Sequence, residues 1–148
     1  MDSHDATETL DVLHRARASL VAGPFSFHDW SHCTCGHLSA AAEGAYAPRR
    51  AEVRSPEPQT RYAAIVVAVA QALSGDERRF TAPRRWYRPA TGEQLAVRWV
   101  SDYTMARASR RGDIVRRGDA LAVLDEAIRR VAAVTVMAPD AHDRPLAA

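Results

Sequence analysis

Apolar side chains recur at helical spacing in several stretches of the 148-residue chain, and the pattern predicts about five helices. The first runs from about Thr7 to Ala22, with Asp5 as a candidate N-cap and Glu8 completing a capping-box pattern. Leu10, Leu13, Leu20 and Val21 fall on one face, Ala16 fills between them, and Gly23-Pro24 ends the helix. A short helix from His37 to about Tyr46 offers a narrow face of Leu38, Ala41, Ala42 and Ala45. The next runs from about Gln59 to Leu73 and stops at Ser74-Gly75. Its Ile65–Ala70 stretch is apolar nearly all round, which predicts a central helix, with a buried strand as the alternative for so Val-rich a run. Thr91 and Gln94 open a fourth helix that reaches about Arg110, with Ser101–Thr104 as an interruption. The fifth runs from Asp119, as N-cap, to about Val134, with Leu121, Leu124, Ile128 and Val131 on its apolar face.

These elements predict a mostly α, single small domain over residues 1–137, with an ordered Cys/His loop after the first helix. Ala47–Pro58 has three Pro and three Arg and no period, so it reads as a linker or exposed loop. Arg78–Phe80 and Arg84–Tyr87 are candidates for a short β-hairpin. Residues 138–148 lack periodicity and read as a disordered tail. Arg110-Arg111-Gly112-Asp113 returns six residues later as Arg116-Arg117-Gly118-Asp119. Gly-Asp is a good helix-stop and N-cap pair, which explains each copy locally.

Composition narrows the chemistry. All 20 basic residues are Arg, and there is neither Lys nor Asn. That excludes a P-loop lysine, a Schiff-base lysine and N-glycosylation. It also fits a high-GC genome, because Lys and Asn share A-rich codons. The longest apolar run, Ala63–Ala70, is far short of the ~20 residues a spanning helix needs. The acidic, polar start (Met-Asp-Ser-His-Asp) does not read as a signal peptide, and two Cys in such a chain predict a cytoplasmic, reducing compartment. Net charge is only +2, but it is unevenly spread. Residues 1–45 hold two Arg against six carboxylates, residues 46–117 fifteen against seven, and residues 118–148 three against five. A basic middle between acidic ends points to a polyanionic or acidic protein partner, or to docking between the regions. A homo-oligomer is compatible with this pattern, and no membrane partner is expected.

The densest chemistry is His28-Asp29-Trp30-Ser31-His32-Cys33-Thr34-Cys35-Gly36-His37. Cys and His together suit tetrahedral Zn²⁺, and His32, Cys33, Cys35 and His37 make a candidate S₂N₂ set, with His28 as a further candidate. The ion would fix the loop rather than react, in a small binding or regulatory protein. A second reading places Cys35 just before a helix N-terminus, where a thiol becomes reactive enough for redox sensing. The plain alternative is that both Cys are small buried hydrophobes and the His residues line a loop. His28-Asp29-Trp30, then Cys33-Thr34-Cys35-Gly36-His37 and the Ala-rich stretch to Gly44, resembles a segment of small actinobacterial and actinophage proteins without an assigned activity. The resemblance implies a lineage and no mechanism.

A second constellation interleaves cations and rings: Arg78, Arg79 and Phe80, then Arg84, Arg85, Trp86, Tyr87 and Arg88. Guanidinium groups grip phosphates bidentately and aromatic rings stack on unpaired bases, so these residues are candidates for nucleic-acid binding. Arg107–Arg117 would extend that surface. The alternative is that Phe80 and Trp86 anchor a loop while the Arg side chains face water.

Overall fold

A computed structural model describes residues 1, 3–29, 32–43, 60–76, 80 and 92–137. It contains α1 (Ser3–Ala22), α2 (Thr34–Glu43), α3 (Thr60–Ser74), α4 (Gly92–Arg111) and α5 (Arg117–Met137), and no strand among the described residues. The fold is mostly α, as the periodicity predicts. The Val-rich run is the middle of α3 and not a strand. The suggested hairpin, the 47–58 linker and the 138–148 tail lie outside the described residues.

α1 and α5 form the most extensive helix pair, and α3 packs chiefly on α4. α2 bridges α1 and α3. α1 and α5 run antiparallel: Arg17 pairs with Asp125 at 2.6 Å, while Arg117 reaches the Leu20 and Gly23 carbonyls at the other end. The core is built from Leu13, Leu20, Leu38, Val66, Val69, Val100, Leu124 and Val131, all fully buried, around the equally buried Tyr62. Ala6, Ala16, Ala70, Ala96, Ala120 and Ala127 are buried too, and their small side chains let the helix axes approach closely.

Four elements differ from the periodicity reading. α2 begins three residues early, at Thr34, because Cys33 caps it: the Gly36 N–H donates to Cys33 Sγ at 3.3 Å. α1 begins at Ser3, which places Asp5 within its first turn instead of at its cap. α4 runs unbroken through Ser101–Thr104, since the buried Thr104 hydroxyl donates to the Val100 carbonyl at 2.8 Å inside the helix. α5 begins at Arg117, and Asp119 acts from its third position, accepting the Arg116 N–H at 2.9 Å as the return arm of a capping box. The buried face of α5 is Ala120, Val123, Leu124, Ala127 and Val131. Leu121 and Ile128 are only half-buried beside it, so the true face is rotated slightly toward the alanines.

Arginine closes the helix C-termini. α3 ends at Gly75, whose φ of 71° suits glycine and whose N–H donates to the Gln71 carbonyl at 2.9 Å. Arg130 of α5 then donates to the Ala72 and Leu73 carbonyls of α3 at 3.1 and 2.7 Å. Arg117 does the same for the end of α1. Four carbonyls around two helix ends thus receive a cation where the backbone dipole favours one.

Candidate functional site

The Cys/His loop leaves α1 at Gly23 and enters α2 at Thr34. A short hydrogen-bonded turn organises it: the Asp29 N–H reaches the Ser26 carbonyl at 3.3 Å, and the His32 and Cys33 N–H groups reach the Asp29 carbonyl at 3.0 and 2.9 Å. The Ser26 N–H closes the turn on the His32 carbonyl at 3.2 Å. The Asp29 carboxylate holds His32 Nδ1 at 2.7 Å.

His37 lies deepest. It is fully buried in the first half of α2, and both ring nitrogens are engaged. The Pro24 carbonyl is only an acceptor, so Nε2 carries the proton and donates to it at 2.8 Å. Nδ1 then accepts the Ser19 hydroxyl at 2.8 Å. Burial lowers the His37 pKa below its ordinary 6.5; the Pro24 hydrogen bond opposes this, while the charges of His32 and Arg117 add to it. The ring is a neutral tie joining the end of α1, the start of the loop and α2.

The proposed ligands therefore face different partners. Cys35 is 1% exposed, with Sγ 4.0 Å from the Val97 carbonyl of α4. Cys33 is half-buried and caps α2, in the position the sequence assigns to Cys35. His32 turns to Asp29, and His28 is exposed with its ring edge-on to Phe27 at 5.4 Å. Among the described residues, no group of three or more His, Cys, Asp or Glu gathers to hold a metal ion. The donors most useful to Zn²⁺, Cys35 and His37, are the two the helices bury.

Arg78, Arg79, Arg84, Arg85, Trp86, Tyr87 and Arg88 lie outside the described residues, but the neck of their segment does not. Phe80 packs edge-to-face on Trp99 of α4, with ring centroids 6.1 Å apart. It holds a φ of 69°, a strained conformation for a bulky residue. The backbone of Gly92 meets it so closely that a methyl group there would overlap the Phe80 carbonyl oxygen. Phe80 and Gly92, the described residues on either side of 81–91, thus lie against each other, with Phe80 fastened to α4. Only the anchoring role of Phe80 was legible in the sequence; the closure at Gly92 carried no signal beyond the glycine itself.

Eight of the eleven described arginines are engaged within the helical body. Arg15, Arg17, Arg61, Arg111, Arg116, Arg129 and Arg130 each pair with a carboxylate, and Arg117 holds α1 carbonyls. Eleven Arg stand against twelve carboxylates in the described residues, whereas residues 77–91 hold five Arg against one carboxylate. The excess cation lies outside the helical body. No helix of the described residues is long and apolar enough to cross a membrane. No protein-family model, curated protein or solved structure matches the chain.

Proposed function

We propose that this is a small nucleic-acid-binding protein whose contact segment is Arg78–Arg88, carried on a near-neutral helical body. One observation carries the reading: the helices' arginines are largely paired with carboxylates and carbonyls, while five Arg and three rings stand in residues 77–91, pinned at Phe80 and Gly92. Arg78, Arg79, Arg84, Arg85 and Arg88 supply phosphate contacts, and Trp86 and Tyr87 supply stacking faces for unpaired bases. Arg111, Arg116 and Arg117 are assigned to the fold rather than to the nucleic acid.

Fluorescence anisotropy with a labelled single-stranded oligonucleotide tests this. Five phosphate contacts on a single strand predict a loss of about 100-fold in affinity as salt rises from about 50 to about 200 mM. Replacing Trp86 by Ala weakens binding by about 1–3 kcal/mol without changing that slope. Salt-independent affinity, or no binding at low salt, rejects the reading. The Zn²⁺ reading of the Cys/His loop rests on donor density and requires His37 Nδ1 to give up the Ser19 hydroxyl, its Nε2–H staying on the Pro24 carbonyl, and Cys35 to leave the core. Elemental analysis of protein purified without added metal decides it: stoichiometric Zn lost together with stability on chelation supports it, and metal-free folded protein rejects it.

A further inference from the structure

Arg107 of α4 stands apart from the other half-buried arginines among the described residues. Arg17, Arg117 and Arg130 each hold a carboxylate or backbone carbonyls, and Arg107 holds neither. Its Nε is shut off from water without a hydrogen-bond partner. Its two Nη atoms are not shut off in this way, so an outside ligand can reach them. Arg98 of α4 also lacks a partner, but it is exposed and water serves it. A half-buried cation without a counter-charge is costly to hold. The carboxylates near Arg107 are already spent. Asp119, whose carboxyl feels the Arg107 charge, is 2% exposed, and Arg111 and the Arg116 N–H take both of its oxygens. Glu126, two turns further along the same side of α5, is held by Arg129 and Arg130.

Positive charge is in excess at this corner. Residues 107–119 hold five Arg against two carboxylates. An oxyanion with two charges offsets more of that excess than a single carboxylate does. The part of Arg107 left open is the end-on fork of Nη1 and Nη2, which matches two oxygens of such an anion. The buried Nε behind the fork fixes its direction, so little rotamer freedom is lost on binding. We propose that Arg107 is the principal contact of a phosphate-binding site at the corner of α4 and α5, which takes inorganic phosphate or a phosphomonoester. The proposal goes beyond the nucleic-acid reading, because the site lies on the helical body and needs no residue of Arg78–Arg88.

Thermal melting of the full chain tests it, with inorganic phosphate compared against sodium chloride of equal ionic strength. Phosphate at about 100 times its dissociation constant is expected to raise the wild-type melting temperature by about 5 °C or more. Arg107→Gln is expected to abolish that rise. Without phosphate the same variant is expected to melt no lower than the wild type, since it removes a half-buried charge that has no partner. Arg98→Gln removes the same charge from an exposed position of the same helix and is expected to keep the rise in full. Calorimetric titration with inorganic phosphate and with adenosine 5′-monophosphate separates the two sources. Tighter binding of the nucleotide assigns a phosphomonoester, equal or weaker binding assigns free phosphate, and both support the site. A wild type without a phosphate-specific rise overturns the proposal, as does a rise that survives Arg107→Gln. An equal loss in Arg98→Gln overturns it too, because that marks diffuse charge and not a seat. An Arg107→Gln variant that melts well below the wild type without phosphate assigns Arg107 to the fold and overturns it as well.

Discussion

His37 illustrates how one buried side chain records its protonation state in its neighbours. A neutral ring satisfies Ser19 and Pro24 at once, and a protonated ring adds a charge beside Arg117 in a site closed to water. Its pKa is lowered in the folded state, so the unfolded chain binds the proton more readily. Stability is therefore full above the ordinary value of 6.5 and falls as the pH drops below it. Denaturant unfolding at a series of pH values between about 7 and about 5 should show this slope, and His37→Gln should flatten it. The cysteines divide in the same residue-by-residue way. Cys33 is half-buried at the helix cap and Cys35 is buried, so a thiol reagent under native conditions should label Cys33 quickly and Cys35 only after unfolding. Mass spectrometry of the labelled peptides separates them, and fast labelling of Cys35 would contradict the packing. The burial of Cys35 was one of the readings the local sequence offered, whereas the roles of Cys33 and His37 were not. The ten-residue cluster displays donors, but the partners that engage His37 and Cys35 (Ser19, Pro24, Val97) lie outside it and are supplied by tertiary structure.

At the scale of elements, the repeated Arg-Arg-Gly-Asp is a stop and a start joined by an ion pair. The first copy ends α4 through Gly112, and the second opens α5 through Asp119. The two are tied because Arg111 grips the Asp119 carboxylate, which is 2% exposed. That hydrogen bond, with the Arg116 N–H and the nearby guanidinium charges, holds the Asp119 carboxyl at about 2 against its ordinary 3.8. Glu126, held by Arg129 and Arg130, is likewise lowered to about 2 from 4.5. Both groups stabilise the fold fully above their ordinary values, and the contribution disappears as pH falls through about 2. An acid titration followed by circular dichroism should thus show a loss of stability below about pH 4 that Asp119→Asn reduces. At neutral pH, Asp119→Ala is expected to cost about 2 kcal/mol, since it removes a cap and leaves Arg111 without its carboxylate. Within the repeat, Gly118 and Asp119 lie inside the first turn of α5 and not before it, so only the stop at Gly112 was readable from the sequence. The start of α2 was not, because cysteine is not a standard cap residue and only the Gly36 N–H reveals that it serves as one. The α5 face keeps Leu124 and Val131 but lies slightly off Leu121 and Ile128, because Ala120 and Ala127 supply the close contacts.

For the whole molecule, α5 acts as a clamp. Its Arg117 closes the end of α1 and its Arg130 closes the end of α3, thirteen residues apart in the sequence and about 20 Å along the helix. At each end one guanidinium nitrogen, Nη1, donates to both carbonyls, and Arg130 holds Glu126 through Nε at the same time. Arg117→Ala and Arg130→Ala should each cost about 1–2 kcal/mol, and at that separation the losses should add to within about 0.5 kcal/mol in the double variant. A combined loss of about 3 kcal/mol is a large part of the ~5–15 kcal/mol that holds a domain of this size together. The same partition of arginines gives the converse expectation. Replacing Arg78, Arg79, Arg84, Arg85 and Arg88 together by Gln changes the net charge from +2 to −3 without touching any pair described in the helices. Its melting temperature should stay within about 3 °C of the wild type, the shift that roughly 1 kcal/mol produces in a chain of this length. Its affinity for a single-stranded oligonucleotide should vanish together with the salt dependence. Calorimetry and anisotropy on the same preparation read the two properties side by side. Melting that collapses with the five substitutions would mean those side chains belong to the fold, and retained binding would move the contact surface to the helices.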